Sequence, residues 1–128
     1  MTPPFTGRCL CGAVTFRCTE PPLWQGHCHC ESCRRATASP MTSFLGVRDG
    51  AWAWTGSAPA TYASSPGVTR SFCPTCGTQM AFRADRFPGE THFYAATLDR
   101  PEEYLPSVHY HSAEALPWIH LADGLAQR

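Results

Sequence analysis

Three groups of cysteines hold most of the reactive chemistry in this sequence: Cys9-Leu10-Cys11-Gly12, Cys28-His29-Cys30-Glu31-Ser32-Cys33 and Cys73-Pro74-Thr75-Cys76-Gly77. Thiolates are soft ligands, and four of them in a tetrahedron select zinc. In the third group, two intervening residues let a tight turn aim both sulfurs at one ion. The glycine that follows suits a backbone position that a side chain would crowd. In the first group, one intervening residue puts both sulfurs on the same side of an extended backbone, because side chains alternate along it. Cys9, Cys11, Cys73 and Cys76 therefore make a candidate closed site, and a closed site is structural. Roughly sixty residues separate the two pairs, and closing so long a loop costs entropy. Zinc binding supplies an apparent ~10–16 kcal/mol in small zinc domains, enough to clamp the N-terminal strand to the middle of the chain.

The second group has the spacing Cys-x-Cys-x-x-Cys, so Cys28, Cys30 and Cys33 can converge. Three protein ligands plus an open position is the arrangement of a catalytic zinc. A thiol that coordinates zinc is deprotonated, and the thiolate is the nucleophile. Three thiolates on Zn²⁺ leave a formal charge of minus one, which Arg34 and Arg35 stand ready to offset; Arg34 is the candidate for holding a substrate carboxylate. Other readings stay open. His27 or His29 would close the site as a fourth ligand, although strand alternation puts both on the face opposite the sulfurs. The trio would also be stable as reduced thiols without metal, and the arginine pair as solvated surface. Cys30 and Cys33 form a CxxC, the pattern of a redox dithiol, but no βαβ pattern surrounds them. Glu31 is the nearest carboxylate, and a solvated-surface role suits it equally; no general acid or base stands out. Cys18 shares its parity with Val14 and Phe16 and reads as a buried free thiol. His109 and His111 read as core or surface residues rather than ligands, and Trp52, Trp54 and Trp118 as core rather than a substrate platform.

The elements that must position these groups are short. Ten glycines and twelve prolines cut the chain into runs rich in β-branched and aromatic residues, at residues 13–17, 41–47, 68–72, 79–83 and 92–98. Residues 57–67 resemble a linker but contain Thr61-Tyr62, which has strand character. Helical turns are expected at 33–38 and 101–104. The pattern predicts a mainly β fold, mostly antiparallel, as a barrel or two packed sheets.

Composition narrows the function. With 128 residues, 43% of them hydrophobic, the chain is expected to form one domain over residues 1–128. Net charge is zero, which argues against a nucleic-acid surface. Every basic residue is Arg, which excludes a lysine Schiff base. No stretch approaches the roughly 18 apolar residues of a membrane span. The start, Met1-Thr2-Pro3-Pro4-Phe5, lacks a charged segment followed by an apolar run, so a cytoplasmic location is expected. Reduced thiols in close groups then favour metal over a disulfide framework.

Gly7-Arg8-Cys9-Leu10-Cys11-Gly12, the segment from His27 to Arg35, and Phe72-Cys73-Pro74-Thr75-Cys76-Gly77 together resemble the glutathione-dependent formaldehyde-activating enzyme family. The tail Pro117-Trp118-Ile119-His120-Leu121-Ala122-Asp123-Gly124-Leu125 is similar to that family's usual ending. The resemblance implies a β-tent fold of twisted antiparallel sheets pinned by zinc. It also implies a structural zinc on Cys9, Cys11, Cys73 and Cys76 and a catalytic zinc on Cys28, Cys30 and Cys33. The implied activity is that of a carbon–sulfur lyase joining formaldehyde and glutathione into S-hydroxymethylglutathione. One position departs: Ala38 stands where the family commonly has Gly, which matters if that Gly serves backbone geometry or close substrate approach. An alternative of a different class is a non-catalytic zinc module that binds a protein partner.

Overall fold

Short β-forming runs between glycine and proline breaks become short strands. In the computed structural model, which describes all 128 residues, they are β1 (Phe5–Arg8), β2 (Thr15–Cys18), β3 (Trp24–Cys28), β4 (Thr42–Arg48), β5 (Trp52–Trp54), β6 (Ala60–Ser65), β7 (Val68–Phe72), β8 (Gln79–Ala84), β9 (Glu90–Tyr94), β10 (Val108–Tyr110) and β11 (Ala126–Gln127). The single α-helix is α1 (Glu31–Thr37), and 3-10 turns occupy Ala95–Thr97, Pro101–Glu103 and Ser112–Glu114. The fold is mainly β, as the sequence pattern indicates. The run at 92–98 does not stay extended: it leaves the sheet at Tyr94 and turns. The stretch at 57–67 is no linker, since it forms β6. No helix is long and apolar enough to cross a membrane.

β1, β2 and β5 form a three-stranded sheet. The other eight form a sheet in the order β11-β10-β3-β4-β9-β8-β7-β6. Pairing is antiparallel throughout, except that β10 runs parallel to both β3 and β11. The two-residue period of a strand sends alternate side chains to opposite faces. Leu45 and Val47 of β4, Phe93 of β9 and Met80 of β8 pack with Phe5, Val14, Phe16 and Cys18 as the main core. Phe16 stacks on Phe93 with ring centres 4.1 Å apart, and Trp52 and Trp54 meet Phe93 edge to face. Truncating such a buried Phe costs about 3–5 kcal/mol.

The second face of the large sheet carries a smaller cluster of Cys33, Phe44, Val68, Phe82, Ala84 and Tyr94. Register explains its composition. Trp24 lies opposite Gly46, Gly46 opposite His92, His92 opposite Phe82, and Phe82 opposite Arg70, one row across β3, β4, β9, β8 and β7. Cross-strand partners share a face. The row therefore sets Trp24, His92, Phe82 and Arg70 on the side where α1 brings Cys33.

Trp118, read from sequence as core, is instead 63% exposed in the tail. The tail is held by β11 and by contacts of Asp123 rather than by apolar burial of that indole.

Candidate functional site

The first cysteine cluster sits where two turns meet, one between β1 and β2 and the other between β7 and β8. The Sγ atoms of Cys9, Cys11, Cys73 and Cys76 all lie within 4.8 Å of one another. Cys9 to Cys11 is 3.6 Å and Cys11 to Cys73 is 3.7 Å. A tetrahedron with arms of about 2.3 Å, the zinc–thiolate length, has edges of about 3.8 Å. The cluster thus has the dimensions to hold one metal ion. Backbone N–H groups of Val14 and Cys76 donate to the sulfurs of Cys9 and Cys73 at 3.3 and 3.4 Å, which stabilises thiolate charge. The glycine after each pair, Gly12 and Gly77, has a φ of 83° and 81°, in the left-handed region. For Gly77 that is the crowding-free backbone expected from the sequence pattern. Hydrogen bonds from the Thr78 side chain and backbone bring the Cys76 thiol down to about 5.

The second cluster is built at one turn. Cys28 ends β3, Cys30 caps α1 and Cys33 lies in its first turn, so their three sulfurs converge within 4.8 Å. The Cys33 N–H donates to Cys30 Sγ at 3.3 Å. The neighbouring Cys28 and Cys33 thiols, hydrogen-bonded to Cys30, draw it down to about 2, while Cys28 is driven up. One proton leaves easily and the others are held back by repulsion, so a cation is what would ionise the set. Three convergent thiols with no fourth protein ligand fit a metal bound with one side open.

The histidine-closed alternative is not what the structure shows. His27 Nδ1 meets Ser43 Oγ at 2.8 Å, and His29 Nε2 meets His109 Nδ1 at 2.8 Å. His109 in turn donates from Nε2 to Asp123 Oδ2 at 2.8 Å. Both histidines point away from the sulfurs, as alternation requires, and the chain Asp123–His109–His29 ties the tail to the ligand loop. The His29 N–H also donates to the Tyr110 carbonyl at 3.0 Å, so β10 holds the loop from the side. Cys18 is fully buried, and burial pushes its thiol up to about 12.

The open side of the second cluster faces a cleft of about 370 Å³. Arg34 does not line it, and Arg35 pairs with Glu31 at the surface. Two other arginines do line it, Arg70 and Arg86. Arg70, only 3% exposed, has no carboxylate partner. Its guanidinium reaches Tyr94 Oη at 2.8 Å, Ser32 Oγ at 2.9 Å and Cys33 Sγ at 3.7 and 3.8 Å. A buried cation needs a counter-charge. Here the nearest candidate is the sulfur cluster, whose minus one when metallated matches one guanidinium. The compensating position expected of Arg34 and Arg35 is thus occupied by Arg70, 37 residues beyond Cys33. The signal available was an arginine in step with Val68 on a strand whose alternate residues face inward.

Ala38 ends α1 in the left-handed region, with φ 54° and ψ 32°, its N–H bonded to the Arg34 carbonyl. The departure from Gly at this position therefore bears on backbone geometry at the helix end, the αL cap where Gly is favoured.

The mainly β fold thus brings together a four-thiol cluster and a three-thiol cluster, each of which could hold a metal ion, the second beside a cleft. The chain belongs to the glutathione-dependent formaldehyde-activating enzyme family, whose model matches residues 4–114. It is 35% identical over 82 residues to an uncharacterized lyase of Schizosaccharomyces pombe, an alignment covering 62% of this chain and 58% of that protein. It also resembles the crystal structure of a Rhodobacter sphaeroides protein, with a TM-score of 0.63 and 22% identity, covering 79% of this chain and 97% of the other. This second likeness is one of fold.

Proposed function

We propose that the chain is a zinc-dependent carbon–sulfur lyase-type enzyme acting on the adduct of a small thiol and an aldehyde, of which S-(hydroxymethyl)glutathione is the family's namesake example. The observation that carries the proposal is the three-thiol cluster of Cys28, Cys30 and Cys33 opening onto a cleft beside a buried, carboxylate-free arginine. Cys9, Cys11, Cys73 and Cys76 would hold a second, structural zinc. At the open cluster, zinc would keep an incoming thiol deprotonated at neutral pH. In the reaction, the sulfur lone pair forms a bond to the aldehyde carbon, the C=O π pair moves to oxygen, and that oxygen takes a proton. The thiol has given up one proton, so the sum is thiol plus aldehyde to hemithioacetal with no net redox change, and the reverse step is the lyase direction.

The chain's own groups serve that chemistry. Arg70 contacts Cys33 Sγ through two N–H groups and would set positive charge beside the bound thiolate. His111 lines the cleft and is exposed, and its imidazole would be available to exchange the proton with solvent. A non-catalytic zinc-stabilised interaction module would need neither the open side nor Arg70.

The test is zinc per chain before and after brief mild chelation, followed by binding of glutathione. Two zincs, one lost readily with the thiol-binding capacity and one retained, support the reading. One tightly held zinc with no uptake of a second, or thiol binding unchanged in Cys28→Ser, would refute it.

A further inference from the structure

The cleft is walled by rings. Trp24 meets Tyr110 and His92 edge to face, with centres 5.6 and 4.7 Å apart. His92 stacks on Phe82 at 5.4 Å and touches Phe87 at 5.0 Å. Phe44 closes the floor against Phe82 at 6.2 Å. Trp24 is fixed: its N–H donates to Glu90 Oε1 at 3.2 Å, and its ring lies across Gly46, where an added Cβ would come within 2.1 Å of the indole nitrogen. Burial holds His92 below its ordinary value, so at neutral pH its imidazole is an uncharged part of the wall. Polar groups sit at the ends. Arg70 and Ser32 stand at the thiol end. Arg86 stacks over Phe87 and Phe82 at 4.9 and 5.8 Å and forms no ion pair.

A one-carbon adduct of glutathione is polar along its length, and against this wall it would leave ring faces wet. Resting on the thiol–aldehyde reading of the site, we infer that the cleft selects adducts whose sulfur-bound carbon carries an aryl or branched alkyl group, with an anionic group of the ligand meeting Arg86. The rings supply apolar area that a hydroxymethyl group cannot use, and a stacked arginine without a carboxylate partner is preorganised for one. Position follows from the row of register: the ring wall continues across the sheet directly from Arg70 through Phe82 and His92 to Trp24. A group on the carbon next to the sulfur is therefore the part that meets it.

The experiment is calorimetric titration of the zinc-loaded full chain with S-methylglutathione and S-benzylglutathione. Both are thioethers with equally poor metal affinity, so the comparison isolates the wall. The benzyl compound is expected to bind at least tenfold more tightly. Phe87→Ala, at a turn residue 38% exposed and outside both core clusters, should reduce that advantage to threefold or less. Arg86→Gln should weaken both ligands at least threefold. Equal affinities for the two compounds overturn this inference alone. Failure of both compounds to bind overturns the thiol-adduct reading beneath it as well.

Discussion

Arg70→Met tests whether the sulfur cluster and its buried guanidinium form one electrostatic unit. The substitution keeps an unbranched apolar stem and removes the charge. The guanidinium nitrogens lie 3.7 and 3.8 Å from Cys33 Sγ. With the net minus one spread over three sulfurs, a mean separation of about 5 Å and an effective dielectric of about 20 give an attraction of about 3 kcal/mol. Part of that is offset, because losing Arg70 also relieves its own desolvation cost. A net of about 1.5–3 kcal/mol corresponds to roughly 10–100-fold in metal affinity, the range seen for groups that hold metal ligands from outside. Chelator competition for the zinc proposed at Cys28, Cys30 and Cys33, run on the parent, Arg70→Met and Arg70→Lys, reads this directly. Arg70→Met is expected to bind that zinc 10–100-fold more weakly, with Arg70→Lys recovering part of the loss. The retained zinc should not change. Affinity within threefold of the parent in a folded Arg70→Met protein would refute the reasoning.

Ala38→Gly relieves a left-handed position that costs a non-glycine residue roughly 1 kcal/mol; the urea midpoint should rise by the equivalent of about 0.5–1 kcal/mol, and no rise would count against strain there. Cys18→Ser buries a hydroxyl among apolar neighbours and should cost about 1–3 kcal/mol while leaving zinc content unchanged; a lost zinc would make Cys18 a ligand. Cys73→Ser should abolish the near-ultraviolet dichroism of the packed core, whereas Cys30→Ser should keep it and lose only the labile zinc. Burial lowers the folded His92 value below 6.5 against the pull of Glu90. The unfolded chain therefore protonates first as pH falls, and the contribution of neutral His92 is full above about 6.5 and declines below it. His92→Gln should show a shallower loss of stability between pH 7 and 5 in urea titrations, and an unchanged slope would remove His92 from the account.

What the sequence discloses depends on how local the cause is. The Cys28–Cys30–Cys33 turn is legible because its geometry is fixed within six residues of chain. The strands at 68–72 and 79–83 are legible because their β-branched and aromatic residues sit between clear breaks. β3 is not, since Gln25-Gly26-His27 carries little strand propensity and Gly26 is kept for close packing against Val108 and Tyr110. The run at 92–98 overreaches because apolar composition continues past Tyr94 while the chain turns into a 3-10 element. Arg70 and the ring wall are hidden for another reason. They depend on which residues of β3, β4, β9, β8 and β7 lie opposite one another, and a one-residue slip would reverse every face. Nor does composition give strand direction, so the parallel seating of β10 beside β3 emerges only in three dimensions.

The same donor chemistry appears twice in this chain with different surroundings, and the surroundings divide the roles. The four-thiol cluster joins a turn of the small sheet to a turn of the large one, with Cys9 and Cys73 buried. Its sulfurs are bonded by backbone N–H groups and a threonine. A metal held there would spend all its coordination on cross-linking two sheets whose contacts are far apart in sequence. The three-thiol cluster joins nothing distant: its ligands come from one turn, so little loop entropy is saved by closing it. A buried arginine without a carboxylate is costly in a site of that kind unless the charge it faces is needed there. Placing Arg70 at the bottom of an open, ring-walled cleft is therefore hard to account for by stability, and fits the proposed function, in which the site would hold a thiolate in use.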